Sequence, residues 1–112
     1  MKILIVDDFA KMREVIMRML TNLSAEFIEC DNGLDALYEY EHHHPEYVLM
    51  DIEMKEMDGI AVTRSIINKH PDAQIIMVTN YKDQRLIDAA RKAGAIGYVM
   101  KENLNELRKY FQ

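Results

Sequence analysis

Apolar runs punctuate the chain, and most of them stop abruptly at polar residues able to do chemistry. Ile3-Leu4-Ile5-Val6 runs into Asp7-Asp8, Tyr47-Val48-Leu49-Met50 into Asp51, Ile75-Ile76-Met77-Val78 into Thr79-Asn80, and Tyr98-Val99-Met100 into Lys101. Phe27-Ile28-Glu29-Cys30 is a shorter, weaker run. An unbroken apolar run, rather than alternation, is what a parallel strand covered on both faces presents. Between these runs the apolar spacing becomes helical. Met12, Val15, Ile16, Met19, Leu20 and Leu23 define a first amphipathic helix. Leu34, Leu37 and Tyr38 mark a second, which ends before Pro45. The preceding Asp31-Asn32-Gly33 is turn chemistry, with Asn32 or Asp31 as the candidate cap. Asp58-Gly59 opens a third helix, with Ile60, Thr63, Ile66, Ile67 and His70 on one face and Pro71-Asp72 as its breaker. A fourth spans Asp83 to Ala93, is small on its inner face (Ala89, Ala90, Ala93) and stops at Gly94. Leu104, Leu107, Arg108 and Phe111 carry a last helix to the end.

Strand and helix therefore alternate throughout, with no repeat, linker or low-complexity tract. That alternation predicts one α/β domain over residues 1–112, a doubly wound, flavodoxin-like parallel sheet with helices on both faces. Right-handed crossovers leave few strand orders, and 2-1-3-4-5 is a common one. In that order the first and third strands are neighbours at the switch point. Asp7-Asp8 and Asp51 then face each other at the carboxyl edge, flanked by Thr79 and Lys101, where open α/β sheets place their ligands.

Composition narrows what such a crevice serves. The 112 residues are 49% hydrophobic and 29% charged, ordinary for a globular protein. The net charge of −5 argues against direct nucleic-acid binding, which needs clustered Lys and Arg. No apolar run approaches the roughly 20 residues of a membrane span, and the amino-terminal run is too short for a signal peptide. The single cysteine, Cys30, has no internal disulfide partner, so a reducing, cytoplasmic setting is expected. Cys30 reads as a small buried hydrophobe and the nine methionines as core filler. Consecutive histidines His42-His43-His44 invite a metal reading, but adjacent residues on a helix end point in different directions.

Carboxylates gathered in one crevice repel one another unless a cation or proton joins them. Oxygen ligands without His or Cys suit Mg²⁺, which favours partnership with phosphate. A carboxylate is a competent nucleophile in phosphoryl transfer, giving an aspartyl phosphate. The Thr79 hydroxyl and the compact charge of Lys101 would then hold phosphoryl oxygens. There is no Gly-rich phosphate loop, so nucleotide binding is not expected. Taken alone, Thr79 reads as a strand end, Tyr98 as a core aromatic and Asp51 as a turn residue; their ordered spacing is what carries the site.

That ordered set resembles the receiver domain of two-component response regulators. It comprises Asp7-Asp8, Asp51 followed by Met54 and Met57-Asp58-Gly59, then Thr79, Gly94-Ala95, Gly97-Tyr98 and Lys101. Asp7-Asp8-Phe9 followed by Met12-Arg13 is similar to the family's single-domain chemotaxis members. The resemblance implies Asp51 as phosphoacceptor, Mg²⁺ held by Asp8 and Asp51 with Asp7 in support, and the Glu53 carbonyl as a backbone ligand. It implies Thr79 and Lys101 as phosphoryl-binding groups and Tyr98 as the switch aromatic that turns inward when Thr79 moves. It further implies a phosphohistidine donor on a sensor histidine kinase or phosphotransfer protein. Readout would run through the face of the fourth helix, fifth strand and fifth helix, to an output domain, a partner or a second copy. Glu53 and Tyr81, each two residues past a site residue, are placed to flank an attacking water.

The chain departs from the family pattern at three points. Lys55 and Glu102 stand where proline is usual, and Asn80 where a small residue is usual. Two other functions compete. An aspartate-nucleophile phosphatase has its second acid in Glu53 but lacks a substrate cap, and a never-phosphorylated binding module leaves the intact acid set and Lys101 without a purpose. Both a stand-alone regulator and a receiver joined to a further, DNA-binding domain are compatible with the sequence, and the joined form is expected.

Overall fold

In the computed structural model, which describes residues 1–111, each apolar run forms a strand. The strands are β1 (Lys2–Val6), β2 (Glu26–Cys30), β3 (Tyr47–Met50), β4 (Ile75–Thr79) and β5 (Gly97–Met100). All pair in parallel, in the order β2-β1-β3-β4-β5. The register sets Val6 beside Met50, Met50 beside Met77 and Met77 beside Tyr98. Asp7 and Asp51 consequently leave β1 and β3 at the same level, and the Asp51 N–H donates to the Val6 carbonyl at 2.9 Å.

Side chains alternate across the sheet, so each face has its own core. Leu4, Val6, Val48, Met50, Ile75 and Met77 pack under the helices α2 (Ala36–His43), α3 (Gly59–Lys69) and α4 (Gln84–Ala93), meeting Ile60, Val62, Ile66, Ala90 and Ala93. On the other face Ile3, Ile5, Leu49, Ile76, Val78 and Val99 meet Ile16 and Leu20 of the α1 region (helix Ala10–Met19), with Leu104 and Leu107 from the chain's end. Each fully buried Ile or Leu contributes roughly 1.5–3 kcal/mol by leaving water, so the central strands are the most stable part of the sheet.

The helix ends follow local chemistry. Asp58 caps α3, its carboxylate accepting from the Ile60 N–H at 2.8 Å, and Asp83 caps α4 through the Arg85 N–H at 2.9 Å. Gly94 ends α4 with φ 111°, a left-handed conformation that a Cβ would strain. Three expectations need correction. The second helix starts at Ala36, and its inner face is Ala36, Leu37 and Tyr40; Leu34 and Tyr38 are 61% and 64% exposed. Neither Asn32 nor Asp31 caps this helix, whose cap position is Asp35 without a side-chain cap bond; the Asn32 side-chain carbonyl accepts from the Asp35 N–H in the preceding turn. The last segment, Lys101–Phe111, is a 3₁₀ helix interrupted at Asn103, not an α-helix. Its tighter period still buries Leu104 and Leu107, three residues apart. The Tyr47 hydroxyl donates to the Tyr110 carbonyl at 3.0 Å and pins its end. Cys30 is buried, as expected, and burial is the main influence raising its thiol pKa.

Candidate functional site

The carboxyl edge of β1, β3, β4 and β5 brings the sequence-nominated residues together. Asp7 is 1% exposed, Asp51 4% and Thr79 fully buried, the main polar exceptions to an apolar interior. Lys101 begins the last segment and turns its chain inward. Its Nζ lies 3.0 Å from Asp7 Oδ2 and 3.2 Å from Asp51 Oδ1, with the lysine side chain only 6% exposed. The contact to Asp7 is an ion pair off the hydrogen-bonding direction. At that distance charge attraction governs it. Glu102 in place of proline has not displaced the amine.

Asp7, Asp8 and Asp51 bring carboxylate oxygens within 4.8 Å of one another, the one such cluster of possible metal ligands among the described residues. Each acid is held differently. Asp7 Oδ1 accepts from the Phe9 N–H at 2.9 Å, and Asp8 Oδ2 from the Lys55 N–H at 3.2 Å. Asp8 Oδ1 is buried with no partner. An orphaned carboxylate oxygen in an all-oxygen cluster fits a hard divalent cation such as Mg²⁺. Burial, then the Asp7 charge, pushes the Asp51 carboxyl up to about 6 against the opposing pull of Lys101. Burial works to lower the Lys101 amine, but its pairing with Asp7 and the charge of Asp51 outweigh it, and it stands above its usual range.

The rim carries the remaining nominated residues. The Thr79 hydroxyl accepts from the Tyr81 N–H at 3.3 Å. Register puts Thr79 and Tyr98 on the same face of neighbouring strands, and Tyr98, half-buried, donates its hydroxyl to the Tyr81 carbonyl at 2.6 Å. Burial raises the Tyr98 phenol, with Asp83 adding to it. Tyr81 is 45% exposed, and its phenol is raised by the neighbouring Glu53 carboxylate. Glu53 and Asn80 are exposed. A cleft of about 470 Å³ lined by Asp8, Phe9, Glu53, Met54 and Lys55 opens beside the acids. A wider one, about 790 Å³, lies at the opposite, amino-terminal edge against His42, His43, His44 and Glu46. Its size is no argument for function, since those histidines do not converge on a common point.

Sequence reasoning missed two supports. Arg13 Nη1 donates to the Asp7 carbonyl at 2.6 Å while its Nε pairs with Glu29 at 2.8 Å, bracing the first acid from β2. Gly59 lets the start of α3 touch the loop after β3, where a Cβ would overlap the Asp51 carbonyl and crowd Ile52 Cα. Neither contact has a periodic signature; only the Met57-Asp58-Gly59 motif hinted at the second.

Residues 3–112 match the family described as the response regulator receiver domain. The chain belongs to that family. Among curated receiver relatives it is 40% identical over 101 residues to the chemotaxis protein CheY of Bacillus subtilis, covering 89% of this chain and 84% of that one. It is 32% identical over 104 residues to the transcriptional regulatory protein DegU of Brevibacillus brevis, covering 90% of this chain and 44% of that longer protein. In structure it superposes on a two-component response regulator of the LuxR family from Aurantimonas sp. SI85-9A1 with a TM-score of 0.92 at 28% identity, covering 98% of this chain and 81% of that chain. Receivers are regulatory phosphoacceptors, and family membership favours the signalling-switch reading over the phosphatase. No described helix is long and apolar enough to cross a membrane.

Proposed function

We propose that Asp51 is the phosphoacceptor of this receiver and that its phosphorylation state is the signal. The observation that carries this reading is Lys101 Nζ lying between Asp7 and Asp51, at 3.0 and 3.2 Å, inside a cluster of three acids. In the transfer, an Asp51 oxygen forms a bond to phosphorus as the P–N bond of a donor phosphohistidine breaks, and the histidine nitrogen leaves with the electron pair. Asp7, Asp8, Asp51 and the Glu53 carbonyl would hold Mg²⁺, which when bound supplies charge neutralisation at the phosphoryl oxygens. Lys101 swings from its carboxylate partners to a phosphoryl oxygen, and the Thr79 hydroxyl donates its proton to another. The Thr79 movement is passed to Tyr98, which lies on the same face of the sheet. Glu53 and Tyr81 flank the approach of hydrolytic water.

The donor is a sensor histidine kinase or phosphotransfer protein. The state is read on the face of α4, β5 and the 3₁₀ segment, by a joined output domain, a separate partner or a second copy. Residues 1–112 act as one receiver unit. The test is incubation with acetyl phosphate or phosphoramidate plus Mg²⁺, followed by intact mass. One added phosphoryl mass is expected, absent in Asp51→Asn. Stoichiometric labelling of that variant would end the assignment.

A further inference from the structure

We propose that the outer face of α2 is a docking surface for an amphipathic helix of a partner protein, one that carries lysine or arginine beside a row of apolar side chains. Two rows of side chains run along that face. The first is Leu34, Tyr38 and His42, which recur at helical spacing and are all exposed, Leu34 by 61% and Tyr38 by 64%. The Tyr38 and His42 rings stack, with centroids 5.7 Å apart and planes within 9° of parallel, so the row is one continuous surface. The second row is acidic. Asp35 and Glu39 stand three residues before Tyr38 and His42, the separation of neighbours on a helix surface. Asp31 continues the acidic row into the preceding turn, where the Asn32 side-chain amide donates to Asp31 Oδ1 at 2.9 Å and to Asp35 Oδ2 at 3.0 Å and holds the two acids side by side.

The acids are short of cations. Asp31 and Asp35 form no ion pair among the described residues, and Glu39 has only the His43 imidazole, at 3.3 Å. A cleft of about 300 Å³ beside them is lined by Glu29, Asp31, Asp35, Glu39 and Arg13. The Arg13 guanidinium is already engaged by Glu29 at 2.8 Å and the Asp7 carbonyl at 2.6 Å, so four acids share one committed cation. No three of these carboxylates converge on one ion position, as Asp7, Asp8 and Asp51 do, and a single metal ion therefore does not fit the row. Cations spread along a chain do. A polyamine would meet the acids but leave Leu34 and Tyr38 in water, and the acids repel nucleic acid and anionic lipid. A peptide with basic residues flanking apolar ones meets both rows. Leu34 to His42 covers about 12 Å, enough to seat about two turns of a partner helix. Because β3 and β4 stand between β5 and the strand β1 over which α2 packs, a partner held here leaves the face of α4 and β5 free.

The experiment is a ¹H–¹⁵N NMR titration of the whole chain with a synthetic helix of about 14 residues, its leucines on one face and its lysines beside them. The comparison ligands are a peptide of the same composition in scrambled order, and spermine. The amphipathic peptide should bind with a Kd below about 1 mM, with its shifts gathered on residues 31–42, and both comparison ligands about 10-fold more weakly. Leu34→Ser and Tyr38→Ser, at exposed positions, should each weaken binding about 10-fold, and Asp35→Asn combined with Glu39→Gln should do the same at low salt. The proposal is overturned by no binding, by shifts centred on Asp7, Asp8 and Asp51, by equal binding of the scrambled peptide or spermine, or by variants that match wild type. Shifts at residues 31–42 that grow with protein concentration alone and vanish in Tyr38→Ser would make the occupant a second copy, which also overturns it. Should a variant fail to fold, the wild-type shift map and the comparison ligands decide.

Discussion

Neutralising Asp51 should stabilise the metal-free protein, although it deletes an ion pair. The Asp51 carboxyl is pushed from its usual 3.8 up to about 6, by burial first and the Asp7 charge second. Its folded-state pKa thus lies above its unfolded value. The native state holds a proton that the unfolded chain releases between pH 4 and 6, so this group costs stability as pH rises through that window and costs the full amount above it. Two pKa units correspond to ~3 kcal/mol, an upper figure for a group this buried. Asp51→Asn mimics the protonated shape and never ionises. The Lys101 amine keeps Asp7 at 3.0 Å, so only part of its pairing is lost and the net gain at pH 7.5 falls to ~1–3 kcal/mol. Urea unfolding in EDTA would register this as a midpoint roughly 1 M higher, given a slope of about 1–3 kcal/mol per M. The gap should close by pH 4 and shrink at pH 7.5 when Mg²⁺ is added, because a ligand bound only by the native state stabilises wild type. A variant less stable than wild type at pH 7.5 without metal, or a gap that ignores pH, would refute the reasoning and make Lys101 the dominant neighbour.

Other expected outcomes follow from packing. Gly59→Ala drives a methyl into the Asp51 main chain, which has no side-chain freedom to yield; a loss of about 1–3 kcal/mol by urea unfolding and slower phosphodonor labelling are expected. Leu107→Ala empties a fully buried site under the 3₁₀ segment and should cost about 2–5 kcal/mol, where a loss under 1 would mean the segment is not docked in solution. Tyr98→Phe removes the hydroxyl bond to the Tyr81 carbonyl and should cost about 0.5–1.5 kcal/mol while speeding amide exchange around Tyr81. Unaltered exchange there would show that Tyr98 does not restrain this loop.

The strands and their order were legible because burial on both faces of a parallel sheet writes itself as unbroken apolar runs, as in Ile75–Val78. Once the order was read, the site residues converged without further information, since Asp7, Asp51, Thr79 and Lys101 each directly follow or end a strand. Periodicity misled where apolar residues serve no core. Leu34 and Tyr38 have helical spacing yet stay exposed, because Ala36 and Leu37 already face β1 and α3. The 3₁₀ character of the last segment was hidden because Leu104 and Leu107 suit a period of three as well as one of 3.6. The amide of Lys55 and the guanidinium of Arg13 act on Asp8 and Asp7 through main-chain groups at one end or the other. Contacts of that kind depend on backbone position and leave little trace in residue type.

The resting site is unbalanced in a way that suits a switch. Three carboxylates against one ammonium leave two net negative charges in a crevice that opens to solvent on the Asp8 side. A divalent cation would cancel that excess under the proposed function, and a phosphoryl group would restore negative charge, so each arrival would change which partners Lys101 prefers. Under the proposed function, the reach of that change is set by the segment Thr79-Asn80-Tyr81. Its main chain is tied at one end, where the Tyr81 N–H meets the Thr79 hydroxyl at 3.3 Å, and at the other, where the Tyr81 carbonyl takes the Tyr98 hydroxyl at 2.6 Å. A rotation of the Thr79 side chain toward a phosphoryl oxygen would loosen its 3.3 Å contact with the Tyr81 amide. Releasing that amide frees the residue that holds Tyr98 at the surface. Two hydrogen bonds of opposite direction on one residue would then offer a route from Asp51 to the face of β5. A coupling of about 1–3 kcal/mol, the scale of one or two such bonds, would change a partner's affinity by roughly 5- to 150-fold.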